Sequence, residues 1–153
     1  MLIGQHTCDL VNKKLSLPPA WKDSMRGGFI TRGFERNLLM FTSSSFEELY
    51  KHITSLNIAD PKARLLIRLI LGSTHPVSFE KNYMILLPYQ LFEIAGLKAR
   101  AVIIGQGDYC EIWSPENWSK QQTTVNNIAE NSHRFSSLSL FTHRAHDANL
   151  GKS

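Results

Sequence analysis

The chain has 153 residues, enough for one domain with a proper core. Apolar residues make up 42% and charged residues 20%, ordinary proportions for a soluble globular protein, and no apolar run approaches the ~18 residues a membrane span needs. The formal net charge of +4 is a weak pointer to an anionic partner.

The start, Met1-Leu2-Ile3-Gly4, has no basic region or cleavage site, so no secretory signal is expected and the default location is cytoplasmic. Cys8 and Cys110 fit a reducing compartment. Neither belongs to a Cys-x-x-Cys pair, which argues against structural zinc and thioredoxin-like chemistry.

In chain order, Asp9 to Lys14 reads as a polar turn and Leu15-Ser16-Leu17 as a half-buried strand. Pro18 and Pro19 stop that strand and suit a short helix carrying Trp21, ended by Gly27-Gly28. Phe29-Ile30-Thr31 and Leu38-Leu39-Met40-Phe41 read as a hairpin across Gly33 and Asn37. Ser44-x-x-Glu47 and Ser45-x-x-Glu48 are overlapping capping boxes for a helix through about Ile53.

Asp60-Pro61 starts a second helix, which runs to Leu71 and stops at Gly72. Its Leu65, Leu66, Ile67, Leu69, Ile70 and Leu71 are apolar nearly all round, so it must be buried on more than one side. A chain this short has little room for that. Leu65, Leu66, Leu69 and Ile70 are therefore candidates for a subunit interface. Arg64 and Arg68 share a face of the same helix, and either pair with acidic groups of a neighbour or face solvent.

The order then repeats. Val77 to Phe79 reads as a strand, Glu80 to Tyr83 as a turn, and Met84 to Leu87 as a strand. Pro88 opens a short helix closed by Gly96. Ala101 to Ile104 and Tyr109 to Trp113 form a hairpin, and Ser114-Pro115 caps a helix carrying Trp118. Leu15-Ser16-Leu17-Pro18 returns as Ile85-Leu86-Leu87-Pro88 after 70 positions. Gly33, Phe41 and Phe46 return as Gly105, Trp113 and Trp118 after 72. Two copies, about 1–55 and 75–119, predict one pseudo-symmetric domain over 1–119, because a solenoid needs three or more repeats. Residues 120–153 are rich in Ser, Asn, Thr and His and read as a flexible tail.

Residues 1–36 sum to +3 and residues 75–119 to −2, so the first copy is the better candidate for a nucleic-acid face. Lys13, Lys14, Lys22, Arg32 and Arg36 could form a phosphate-contacting stripe; the alternative is a solvated turn with ordinary surface cations. Lys81 and Asn82 could contact DNA from the second copy, or form a plain turn. His143-x-x-His146, with His133, has plausible metal-ligand spacing but no Cys or acidic partner at a telling distance, so no metal site is assigned. Gly105-Gln106-Gly107 lacks the third glycine of a nucleotide cradle. There is no paired-carboxylate motif or nucleophile elbow, and Gly72-Ser73 sits where a helix end needs glycine. No enzyme, cofactor or small-molecule substrate is expected.

The pattern resembles the MraZ family, bacterial transcriptional regulators built from two AbrB-like half-units. The stretches that carry the resemblance are His6-Thr7-Cys8-Asp9, Leu15-Ser16-Leu17-Pro18, Phe29-Ile30-Thr31-Arg32-Gly33, Asp60-Pro61-Lys62-Ala63-Arg64, Ile85-Leu86-Leu87-Pro88, Ala95-Gly96-Leu97 and Glu111-Ile112-Trp113-Ser114, over about residues 1–120. It implies a mainly β, α+β fold of swapped-hairpin, double-split barrel type. It also implies a ring-shaped homo-oligomer on the nucleoid, binding double-stranded DNA at direct repeats ahead of the division and cell-wall operon, with no metal and no reaction. A protein-interaction module, as in AbrB-like antitoxins, is the alternative.

Each half of that family carries a D-x-K-G-R loop, which implies DNA contacts from Asn12, Lys13, Lys14, Lys81 and Asn82. Here the first loop, Asp9 to Lys14, is one residue longer, and Lys14 stands at the arginine. In the second, Met84 replaces the arginine and Tyr83 the glycine. Arginine is the usual bidentate reader of guanine; lysine is a point charge and methionine offers no such bond. Base reading is thus the part of the resemblance these residues support least.

Overall fold

The structure is a computed structural model and describes residues 1–138. Strand β1 (Gln5–Asp9) half-buries alternate positions, His6 and Cys8. Sequence patterning misses it, because Gln-His-Thr-Cys-Asp shows no hydrophobic alternation. Strand β2 (Lys14–Ser16) is followed by a single 3₁₀ turn, Pro19–Trp21, with proline at its first position. Strands β3 (Phe29–Arg32) and β4 (Leu38–Phe41) form the expected hairpin.

Helix α1 (Ser43–Thr54) is capped by Thr42, whose hydroxyl accepts from the Ser45 N–H at 3.2 Å. The cap lies upstream of both predicted boxes, because the backbone of Thr42 is still extended where it leaves β4 and presents its hydroxyl to the first turn. Helix α2 (Pro61–Ile70) starts as expected, with the Asp60 carboxylate accepting from Lys62 N–H at 2.9 Å.

Strand β5 (His75–Pro76), strand β6 (Met84–Leu86), helix α3 (Tyr89–Ile94), strands β7 (Arg100–Gly105) and β8 (Tyr109–Trp113) and helix α4 (Pro115–Val125) complete the second pass. The chain divides into two compact units, Met1–Trp118 and Ser119–Ser153. In the second, where a flexible tail was expected, helix α5 (Ile128–Arg134) is capped by the Asn127 side chain.

The fold is α+β. Six strands form one antiparallel sheet in the order β1-β7-β8-β4-β3-β5, and β2 pairs with β6 in a separate ribbon. Exchanging the two copies maps the six-strand order onto itself read backwards, with β1 on β5, β7 on β3 and β8 on β4. The pseudo-twofold passes between β4 and β8, where Leu38 faces Ile112 and Met40 faces Cys110. The same symmetry runs through the ribbon, where Lys14 faces Leu86 and Ser16 faces Met84. Each copy thus lends a strand to the other's ladder. The sheet stays open among the described residues: β1 and β5 are its edges and do not pair with each other, so these strands form no closed barrel.

Leu15 and Ile85 face each other across the ribbon and are fully buried. They join Leu17, Met25, Ile30, Met40, Leu87, Leu91, Ile103 and Ile112 in one core. Each such side chain contributes about 1.5–3 kcal/mol by leaving water. Residues 11–20 and 81–90 differ in burial class at a single position, Ser16 against Leu86. The strand-to-helix aromatic pairs match as well. Phe41 and Phe46 lie 6.0 Å apart at 59°, and Trp113 and Trp118 lie 5.7 Å apart at 56°. Gly28 is obligatory, because a Cβ there would collide with the Phe41 carbonyl of the neighbouring strand.

Candidate nucleic-acid interface

The connection from β1 to β2 is closed by the shortest kind of hairpin turn. Val11 N–H donates to the Lys14 carbonyl at 3.2 Å, and Lys14 N–H donates to the Val11 carbonyl at 3.0 Å. Asn12 (φ 52°) and Lys13 (φ 61°) between them are both left-handed, the pair of conformations that matches strand twist. Asparagine tolerates this region. A lysine there costs about 1 kcal/mol in local strain.

Asp9 lies outside the turn. It ends β1 opposite Arg100 and pairs with its guanidinium at 3.5 Å. Asp9 therefore belongs to the strand and not to the turn. At the tip Asn12 and Lys13 are exposed and Lys14 is half-buried. Lys13 Nζ sits 4.3 Å from the centroid of the Tyr89 ring and 5.9 Å from that of Phe92.

The second tip has the same backbone signature. Asn82 (φ 64°) and Tyr83 (φ 58°) are left-handed at the same 70-residue offset. This turn is one residue wider: Glu80 N–H donates to the Met84 carbonyl at 2.6 Å around Lys81, Asn82 and Tyr83. All three are exposed. The Tyr83 ring lies under two cations of the first copy, with Lys22 Nζ at 5.4 Å and Arg26 Cζ at 5.6 Å.

Because β2 and β6 run antiparallel and each tip precedes its strand, the tips stand at opposite ends of the ribbon. Three paired residues separate them by only about 10 Å of strand. The structure thus divides the expected contacts into Asn12, Lys13 and Lys14 at one end, and Lys81 and Asn82, with Lys22, at the other.

Arg32 and Arg36 stand elsewhere. They line an open cavity of about 500 Å³ with Glu93, Lys98, Glu116 and Asn117. Arg32 Nε is buried with no hydrogen-bond partner among the described residues. The cations expected as one stripe occupy three places.

The apolar face of α2 is only partly covered by its own chain. Ile70 is 2% exposed and buried, Leu66 and Leu69 are half-buried, and Leu65 is 62% exposed. Leu66 and Ile70 line a groove of about 270 Å³ together with Phe34, Leu39, Phe41, Leu49, Ile53 and Tyr109. Arg64 finds its partners within its own chain, donating from Nη1 to the carbonyls of Ile58 at 2.9 Å and Ala59 at 3.1 Å.

Other titratable groups serve the sheet. The half-buried Glu111 carboxylate accepts from Trp113 Nε1 at 3.2 Å, Asn37 Nδ2 at 3.2 Å and Gln106 Nε2 at 3.4 Å. Burial pushes its pKa up, the nearby Glu35 adds to this, and the hydrogen bonds from Trp113 and Asn37 oppose it. Burial pushes the Cys110 thiol up to about 12 and raises Cys8 as well, so neither thiol is activated as a nucleophile. Among the described residues no three His, Cys, Asp or Glu side chains come together as a metal site, and His143 and His146 lie outside those residues. Among them also, no helix is long and apolar enough to cross a membrane.

Tyr83, Tyr89 and Arg26 are the participants that patterning missed. An aromatic residue in a turn, and another just after the Pro88 that closes a strand, were the available signals.

Known proteins resemble this chain over most of its length. A family model described as "MraZ protein, putative antitoxin-like" matches residues 70–140. A protein of Thermomicrobium roseum named Transcriptional regulator MraZ is 37% identical over 123 residues, covering 79% of this chain and 87% of the relative. A protein of the same name from Mycoplasma mobile is 35% identical over 135 residues, covering 88% and 89%. Another, from Roseiflexus castenholzii, is 35% identical over 120 residues, covering 77% and 84%.

Proposed function

The chain belongs to the MraZ family of transcriptional regulators, and from that premise we propose that it regulates transcription by binding duplex DNA through the ends of its β2–β6 ribbon. The target is the region ahead of the division and cell-wall genes. The active form is a ring homo-oligomer that lays one ribbon on each of several direct repeats, in the cytoplasm and on the nucleoid.

The observation that carries this reading is the first tip. A two-residue turn holds Lys13 in a left-handed conformation at an exposed apex, with Lys14 beside it. A rigid, protruding, basic hairpin tip suits the phosphate backbone, whose contacts dominate affinity. Lysines there contribute mainly sequence-independent binding. Specificity then comes from repetition: several modest contacts on correctly spaced repeats gain avidity that a single site lacks. The exposed Leu65 on α2 supports assembly, since an apolar helix face left open is a usual subunit contact.

A gel-shift titration against the DNA upstream of the division genes, beside a scrambled duplex of equal length, tests the reading. Tighter binding to the upstream region, in steps that follow the number of repeats, is expected. Equal affinity for both duplexes would remove the specific part of the proposal. Binding to neither would leave the interaction-module reading in its place.

A further inference from the structure

The two ends of the ribbon carry the same contact with its partners exchanged. At the first end the loop supplies the cation, Lys13, and the second copy supplies the rings of Tyr89 and Phe92. At the second end the loop supplies the ring of Tyr83, and the first copy supplies the cations Lys22 and Arg26. Lys22 and Phe92 are related by the 70-residue offset, as are Lys13 and Tyr83.

We propose that the second end of the ribbon grips the DNA phosphate backbone through Lys22 and Arg26 of the first copy, held in place by Tyr83. The inference rests on the DNA-binding reading above and assigns residues within it. A cation over an aromatic face is ordered without being neutralised, because the ring has no net charge. Both heads therefore keep their full attraction for a phosphate. Among the described residues Arg26 pairs with Asp23 at 3.4 Å, and the two side chains are 60% and 96% exposed, so that pair yields readily to a stronger anion. A bulky residue at positive φ is uncommon, so the ring of Tyr83 is held out at some backbone strain. Tyr83 is a positioning residue, and Lys22 and Arg26 make the contact. A guanidinium can take a phosphate through two parallel hydrogen bonds.

The test is fluorescence anisotropy of the full chain on the upstream duplex and on a scrambled one, across a salt series. The double variant Lys22→Ala with Arg26→Ala should bind both duplexes more weakly, with a salt slope lower by roughly two units per subunit engaged, about 0.9 per phosphate released. Tyr83→Phe should match the wild type. Tyr83→Ala should weaken binding to both duplexes and lower the slope although no charge has been removed, a result a purely structural tyrosine would not give. Asp23→Asn frees Arg26 without touching the ribbon and should strengthen binding, which keeps the proposal testable if the double variant folds poorly. An unchanged slope in the double variant, or unchanged affinity in Asp23→Asn, overturns the assignment. If Lys13→Ala with Lys14→Ala lowers the slope while Lys22→Ala with Arg26→Ala does not, this inference falls and the DNA-binding reading stands. A wild type that binds neither duplex ends both.

Discussion

Ser45 and Asn117 occupy equivalent positions in the two copies, and each donates a side-chain hydrogen bond to the opposite copy's hairpin. Ser45 Oγ reaches the Asp108 carbonyl at 2.7 Å, and Asn117 Nδ2 reaches the Arg36 carbonyl at 3.4 Å. Residues 36 and 108 are themselves 72 positions apart. The first turn of each helix thus ties down the tip of the hairpin that the other copy supplies. Two equivalent cross-ties thus add to the strand pairing that holds the copies together.

Ser45→Ala should cost more than Asn117→Ala. The serine bond is shorter, and the same hydroxyl oxygen accepts from the Thr42 hydroxyl at 2.9 Å at the helix start. Each loss should lie within about 0.5–1.5 kcal/mol, the usual worth of one such bond. Urea unfolding of the two single variants measures it. Absent losses would mean that the hairpin tips are held by the sheet alone, and equal losses that the shorter serine bond adds nothing over the longer one.

Leu65→Glu should leave the subunit folded and break the assembly. Leu65 is 62% exposed in the isolated chain, so a carboxylate there meets no cost until a partner covers it. Burying it unpaired in an interface would then cost several kcal/mol, by the general penalty for unpaired charge. Analytical ultracentrifugation should show the variant as a smaller species with an unchanged circular-dichroism spectrum. An unchanged sedimentation coefficient would place the interface elsewhere.

Glu111 predicts a pH effect on stability. Its pKa is raised in the folded chain, so the folded state holds this proton more tightly than the unfolded state does. The resulting stability is complete below the ordinary glutamate value and is lost as pH rises through the folded value. The stability of the wild type relative to Glu111→Gln should therefore fall from about pH 4 towards neutrality, whatever constant offset the amide introduces. Thermal melts of both proteins across that range measure the difference. A difference independent of pH would show that the donors around the carboxylate cancel the effect of its burial, and one that rises with pH that they outweigh it.

Much of the element order was legible because the repeat doubled every signal. Leu15-Ser16-Leu17-Pro18 and its echo at 85–88 marked strands and their stops, and Asp60-Pro61 marked the start of α2. Three things were not legible. β1 was hidden because its inward positions are His6 and Cys8 rather than branched aliphatics, His6 packing edge-on against Trp21 at 4.9 Å. The exchange of strands between copies was legible only through the resemblance to a swapped-hairpin family, because periodicity shows which residues pair inwards but not which strand they meet. The site was legible only at its apices. The turn positions were found, yet the ring under Lys22 and Arg26 lies about 60 residues away in sequence, a distance that only folding closes.

The salt dependence of Lys13→Ala with Lys14→Ala decides whether the first ribbon end contacts DNA. Each phosphate released should lower the slope of log K against log salt by about 0.9. Fluorescence anisotropy on the upstream and scrambled duplexes should show the double variant weaker on both, with a slope reduced by one to two such steps per subunit engaged. A double variant with the affinity and salt slope of the wild type would show that this tip does not touch DNA.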